Sequence, residues 1–205
     1  MRTTSSQTRD NGLTLSIDYP NESSRPHLLL KTFLGWLYVG FPHGIILGLY
    51  GALVGIVTSI AFIAILINGR YPQNMFNFTV GYHRWRTRVA VYMIHMTDKY
   101  PPFSTDGIHP VELGVQHPGQ VSRLKMLARV LLGLLYVQVP HQICLAFYGI
   151  AVSFVIFIGW WSILLFGNFP QGFFRFAEGF LRWQMRVSLY AGFMTDKYPP
   201  FSGRP

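Results

Sequence analysis

The run Asp98-Lys99-Tyr100-Pro101-Pro102-Phe103-Ser104 returns as Asp196-Lys197-Tyr198-Pro199-Pro200-Phe201-Ser202. The same offset of about 98 residues aligns nearly the whole chain with itself without a gap. Pro42-His43 falls on Pro140-His141, Tyr50-Gly51 on Tyr148-Gly149, Arg84-Trp85 on Arg182-Trp183, and Tyr92 on Tyr190. Roughly 40 of about 95 aligned positions agree, which marks a tandem duplication rather than chance similarity. Any fold for this chain must therefore contain two equivalent modules, over residues 13–110 and 111–205, after a loose polar N-terminal arm over 1–12.

Both modules are apolar enough for a membrane. Ile45 to Ile67 carries no charge over about 23 positions and Gln142 to Phe166 none over about 25, the length a membrane-crossing helix needs. The hydrophobic region begins near Leu28, too far in and too long for a signal peptide, so insertion without a cleaved leader is expected. The single cysteine, Cys144, excludes an internal disulfide scaffold.

The apolar region is longer than one span. From Leu28 to Ile67 only Lys31 and His43 are ionisable, and from Leu124 to Phe166 only Lys125, Arg129 and His141. A straight helix of about 40 residues reaches about 60 Å, twice the hydrocarbon thickness. Each module is then either a helical hairpin turning near Leu47–Gly51 and Leu145–Gly149, or one spanning helix behind a surface helix bent at Pro42 and Pro140. Arginine and lysine gather in the N-terminal arm, the central connection and the C-terminal arm, and only two crossings per module put all three on one side. The expected fold is an all-α membrane protein of two transmembrane hairpins, related by a pseudo-twofold axis along the membrane normal. An interfacial amphipathic helix follows each hairpin and a short strand precedes it.

The amphipathic helix is read from Met75, Phe78, Tyr82, Trp85, Val89, Tyr92 and Met96, whose spacing of three and four is repeated at Phe173, Phe176, Phe180, Trp183, Val187, Tyr190 and Met194. Arg84, Arg86, Arg88, Arg182 and Arg186 lie off this stripe, and with Trp85 and Trp183 they form an expected lipid-headgroup-binding face. The alternative is a stripe that is core, with the arginines in water. Gly69-Arg70-Tyr71-Pro72 and Gly167-Asn168-Phe169-Pro170 mark the corner before this helix. Leu13, Leu15 and Ile17 alternate with polar residues, as do Val111, Leu113 and Val115, so two strands are expected at equivalent positions, able to pair with each other. Tyr100, Pro101, Pro102 and Phe103, with Tyr198, Pro199, Pro200 and Phe201, must be extended. They either dock a partner or fold back on the helix they follow.

Taken together, Ser-Arg ahead of a hydrophobic stretch, Pro-His inside it, Gly-Arg-Tyr-Pro at its end, Arg-Trp with a following Arg-Val, and the closing Asp-Lys-Tyr-Pro-Pro-Phe-Ser resemble the bacterial integral-membrane domain family DUF4389, over residues 13–104 and again over 111–202. The second copy departs from the pattern, with Asn168-Phe169 in place of Arg70-Tyr71. The resemblance implies a bacterial membrane protein and brings no assigned chemistry.

None of the eight acids falls in the apolar blocks, and no paired carboxylates, nucleophile elbow, phosphate loop or metal-ligand spacing is present, so no enzyme is expected. His43 and His141 are the ionisable groups at depth. The expectation is that each either closes the proline kink beside it by satisfying the freed carbonyl or sits in the hairpin packing. Across a twofold axis the pair also suits axial ligation of a haem or a proton path; no cofactor or metal is otherwise expected. The reading is a non-enzymatic scaffold or accessory subunit of the bacterial inner membrane, multi-pass with cytoplasmic termini, binding anionic lipids and docking on a larger membrane complex. The alternative is a small transporter or channel with a path past His43 and His141. A net charge of +9 suits an anionic leaflet, and without a nucleic-acid-binding signature no nucleic-acid partner is expected.

Overall fold

A computed structural model describes residues 12–205, so the expected N-terminal arm lies, apart from Gly12, outside the described residues. The order is β1 (Leu13–Ile17), α1 (Arg25–Gly35), a π-helical turn (Trp36–Gly40), α2 (Phe41–Asn68) and α3 (Gln73–Met93). It then repeats as β2 (Val111–Val115), α4 (Arg123–Gly133), a π-helical turn (Leu134–Gln138), α5 (Val139–Phe166) and α6 (Gln171–Ala191).

The hairpins expected at Leu47–Gly51 and Leu145–Gly149 do not form. Residues Arg25–Asn68 and Arg123–Phe166 are each one continuous helix of 44 residues. Nothing in Leu47–Gly51 removes a backbone donor, so the helix has no reason to stop there. Gly51 is used for close approach instead: a Cβ there would lie 3.1 Å from the Tyr82 hydroxyl. The prolines do not break the helix either. Phe41 N–H reaches back to the Trp36 carbonyl, an i→i−5 step, and the wider turn accommodates the ring of Pro42.

Helix starts and stops follow local chemistry. Ser24 and Ser122 cap α1 and α4 by accepting from His27 N and Lys125 N. Gly69 and Gly167, at φ 68° and 78°, close α2 and α5 in the left-handed conformation, and Pro72 and Pro170 then start α3 and α6.

The two strands pair antiparallel, Leu13 with Val115, Leu15 with Leu113 and Ile17 with Val111. Leu15 and Leu113 are equivalent residues, so this register puts the sheet on a pseudo-twofold axis. The contacts that flank it obey the same axis and cross between copies. Arg84 Nε donates to the Leu113 carbonyl and Arg182 Nη2 to the Leu15 carbonyl. Ser23 N donates to Gly167 O at 2.8 Å, and Val121 N to Gly69 O at 2.9 Å. Arg25 Nη2 donates to Leu165 O at 3.0 Å, and Arg123 Nη2 to Ile67 O at 2.7 Å. The start of each long helix thus caps the end of the other, and the two run antiparallel. One core joins the copies: Leu15 and Leu113 from the sheet pack with Ile65, Phe76, Ile163 and Phe174.

Candidate functional site

Each copy builds the same hydrogen-bonded aromatic cage where its long helix, the helix after it (α3 or α6) and its closing tail meet. A proline at position 42 leaves the Tyr38 carbonyl without its helical donor. Tyr100 Oη donates to that carbonyl at 3.3 Å, and Tyr198 Oη donates to the Tyr136 carbonyl, the acceptor vacated by Pro140, at 2.9 Å. The kink was expected to be closed by histidine; tyrosine of the tail closes it, because its longer side chain reaches the carbonyl from across the helix.

The histidines take another role. Trp85 Nε1 donates to His43 Nδ1 at 3.0 Å, and Trp183 Nε1 to His141 Nδ1 at 3.1 Å. An indole N–H only donates, so Nδ1 carries no proton and the hydrogen sits on Nε2. In the first copy His43 Nε2 meets the Tyr100 hydroxyl at 3.1 Å; in the second, His141 Nε2 is buried without a hydrogen bond. Phe103 stacks on His43 with ring centres 3.9 Å apart, and Phe201 stacks on His141 at 4.0 Å. Both imidazoles are 0% exposed. Each histidine is thus enclosed by rings of its own copy: His43 by Trp85, Tyr100 and Phe103, and His141 by Trp183, Tyr198 and Phe201. Among the described residues no group of three or more His, Cys, Asp or Glu could hold a metal ion.

A buried ion pair adjoins the cage. Lys31 Nζ lies 2.8 Å from Asp98 Oδ1 and donates to the Thr97 carbonyl at 2.9 Å, with the Tyr92 ring centre 4.7 Å away. In the second copy Arg129 pairs with Asp196, donates to the Thr195 and Tyr190 carbonyls, and lies over the Tyr190 ring at 4.0 Å. The other oxygens of Asp98 and Asp196 accept from Ser24 N and Ser122 N. The pair and the cage are linked through Tyr92, whose hydroxyl meets those of Tyr38 at 2.9 Å and the His27 ring at 3.0 Å. Burial, then the Tyr38 hydroxyl, pushes the Tyr92 phenol well above its ordinary range. The network supplies neutral donors and acceptors that hold the tail to the helix. Its sequence signal was a cation at equivalent apolar-block positions, Lys31 and Arg129, matched by an acid at Asp98 and Asp196.

The residues expected to face lipid headgroups are placed differently. Arg88 and Arg186 are 2% and 5% exposed. Arg88 donates to the carbonyls of Ser104, Asp106, Gly107 and Val111, and Arg186 to those of Ser202 and Arg204. Arg84 holds Thr105 O and Asp106, and Arg182 holds Gly203 O and Glu178. Trp85 and Trp183 are buried on the histidines, and of the five arginines Arg86 alone is exposed. The expectation for these arginines is lipid headgroups, or water in the alternative; four of them are instead engaged by carbonyls of the segments that follow the two helices, Arg84 and Arg88 by residues 104–107 and Arg182 and Arg186 by residues 202–204. The tails fold back on their helices. Pro101 and Pro199 are buried, Pro102 and Pro200 half-buried, while Tyr100, Phe103, Tyr198 and Phe201 keep one exposed side.

The chain matches the family described as Domain of unknown function (DUF4389) over residues 30–105 and again over 123–203. The chain belongs to this family. The two DUF4389 matches begin inside α1 and at the start of α4 and end within the tails, so each encloses one complete cage. No curated protein and no solved structure matches the chain.

Proposed function

We propose that this DUF4389 protein is a non-enzymatic scaffold or accessory subunit resident in the bacterial cytoplasmic membrane. The observation that carries the reading is the exposure of its most apolar helices. Only 11% and 17% of their most hydrophobic windows are buried by the rest of the protein. Phe33, Leu49, Phe147 and Phe166 are 66–72% exposed along the same surfaces. A water-soluble monomer rarely exposes a contiguous apolar patch beyond about 300–600 Å², so lipid is the solvent these faces suit. Exposed cations at Arg25, Arg86, Arg123, Lys125 and Arg175, within a net charge of +9, suit anionic headgroups.

His43 and His141 are sealed in separate copies, which supports a structural use over a transport path. The half-exposed rings of Phe103 and Phe201 are the docking surface assigned to a neighbouring subunit. The reading is tested by washing membranes with alkaline carbonate and by a photo-crosslinking residue at Phe103. Retention in the membrane and crosslinking to one defined protein are expected. Release by carbonate removes the membrane assignment; crosslinks to lipid alone remove the docking surface.

A further inference from the structure

We infer that the two long helices lie in the plane of a single leaflet, so that this protein is held by one face of the membrane and does not cross it. The inference rests on the membrane reading above and concerns how the chain sits in lipid. It follows from symmetry. The pseudo-twofold axis relates Arg25 to Arg123 and Ile67 to Leu165, so the members of each pair stand at the same height along the axis. The hydrogen bond from Arg25 to the Leu165 carbonyl makes residue 25 level with residue 165, and hence with residue 67. The bond from Arg123 to the Ile67 carbonyl says the same of the other helix. Both ends of each long helix share one height, so the helices run across the axis.

Two orientations satisfy that geometry. If the helices cross the bilayer, the axis lies in the membrane mid-plane and β1–β2, which sit on it, lie at mid-depth. A five-residue strand reaches about 8 Å to either side of its centre, well inside a hydrocarbon half-thickness of about 15 Å. The exposed Asp18 and Glu112 would then lie at the depth of the acyl chains. Hydrocarbon heavily penalises a charged carboxylate. If the axis is instead the membrane normal, the sheet is a polar cap and both carboxylates reach water.

Length agrees with the second orientation. Exposed apolar side chains run from Leu29 to Ile67 and from Leu124 to Phe166. At 1.5 Å per residue these stripes are about 57 and 63 Å long, against a hydrocarbon core of about 30 Å. Fitting them across would need a tilt of roughly 60°, outside the range of spanning helices. A helix in the interface immerses one face by about 5–10 Å, and α2 offers such a face: Ile45, Leu49, Ile56, Ile60 and Ile63 are exposed, while His43, Ala61 and Ile65 are buried on the other side. Charge agrees as well. Symmetry would load both membrane surfaces equally with Arg25 and Arg123 in a crossing orientation; lying flat, both meet the same headgroup layer.

The test uses the full-length protein in vesicles of phosphatidylcholine with phosphatidylglycerol. Flotation after a high-salt wash establishes membrane residence, and its failure counts against the membrane reading, whatever the helix orientation. Polarised infrared spectroscopy of the same vesicles spread on a support then reads the helix axes. Helix transition moments concentrated in the membrane plane are expected; moments along the normal overturn the inference. Independently, Glu22→Cys and Asn74→Cys, each with Cys144→Ser, put a thiol beyond either end of the first long helix. In sealed vesicles of one sidedness an impermeant maleimide should label both from the same side. Labelling from opposite sides overturns the inference.

Discussion

The Tyr198 hydroxyl stands 2.9 Å from the carbonyl of Tyr136, the acceptor that Pro140 leaves without a helical donor, and Tyr100 stands in the same relation to Tyr38. Proline and tyrosine here depend on each other. Removing the hydroxyl in Tyr198→Phe strands the carbonyl and should lower stability by about 1–2 kcal/mol. In a Pro140→Ala background the restored backbone N–H supplies the bond, so the same change should cost less. A double-mutant cycle on thermal unfolding in detergent measures the coupling, expected at about 1 kcal/mol.

Trp85 and His43 define a second dependence. Asparagine at position 43 keeps an acceptor where Nδ1 stood, whereas leucine leaves the buried indole N–H unsatisfied. His43→Leu should cost about 1–3 kcal/mol more than His43→Asn in the same unfolding measurement. Equal loss in both would mean that stacking on Phe103, and not the hydrogen bond, sets the contribution.

The Lys31–Asp98 pair is almost wholly buried on the lysine side. Asp98→Asn keeps an acceptor for Ser24 N and leaves the ammonium uncompensated, so a loss of about 3–5 kcal/mol is expected. Adding Lys31→Met should recover much of it. Tryptophan fluorescence across a denaturant series checks both values.

Acid should destabilise the protein through His83 and His95. Burial, then the charge of Arg86, lowers His83 to about 4, and burial, then Lys31, lowers His95 to about 4. Each stays neutral in the folded chain while the unfolded chain takes up a proton near pH 6.5. Their contribution is complete above pH 6.5 and declines as pH falls towards 4, by up to about 3 kcal/mol for the deeply buried His83. His83→Gln should flatten this part of the stability–pH curve; an unchanged curve would exclude His83 as the source.

Because the copies exchange strands and helix caps, residues 1–105 alone should not fold. That fragment lacks β2 as partner for β1 and Arg123 as cap for α2. Co-expressed with residues 106–205 it should reassemble, which co-purification of the two fragments would establish. A soluble or membrane-bound folded half by circular dichroism would contradict the interlock.

Much of this was written in the order of residues. The duplication follows from identities such as Asp98 with Asp196, and the corners at Gly69 and Gly167 follow from glycine's access to positive φ before a proline. The paired strands follow from alternation at Leu13, Leu15 and Ile17 and their counterparts, since an amphipathic strand needs a partner for its edge. What the order of residues left open was which groups meet across long separations. Hydropathy measures how apolar Ile45 to Ile67 is but carries no term for where a helix turns, so a 44-residue helix and a hairpin scored alike. Charge position likewise cannot tell a guanidinium in water from one bound to a loop: Arg86 is exposed while Arg88, two residues on, is fixed by the carbonyls of Asp106 and Gly107. The exchange of Arg25 and Arg123 between helix ends, and the seat of Tyr100 on the carbonyl vacated by Pro42, exist only once the two copies are folded against each other, because a hydrogen bond is decided by distance in space and not by separation along the chain.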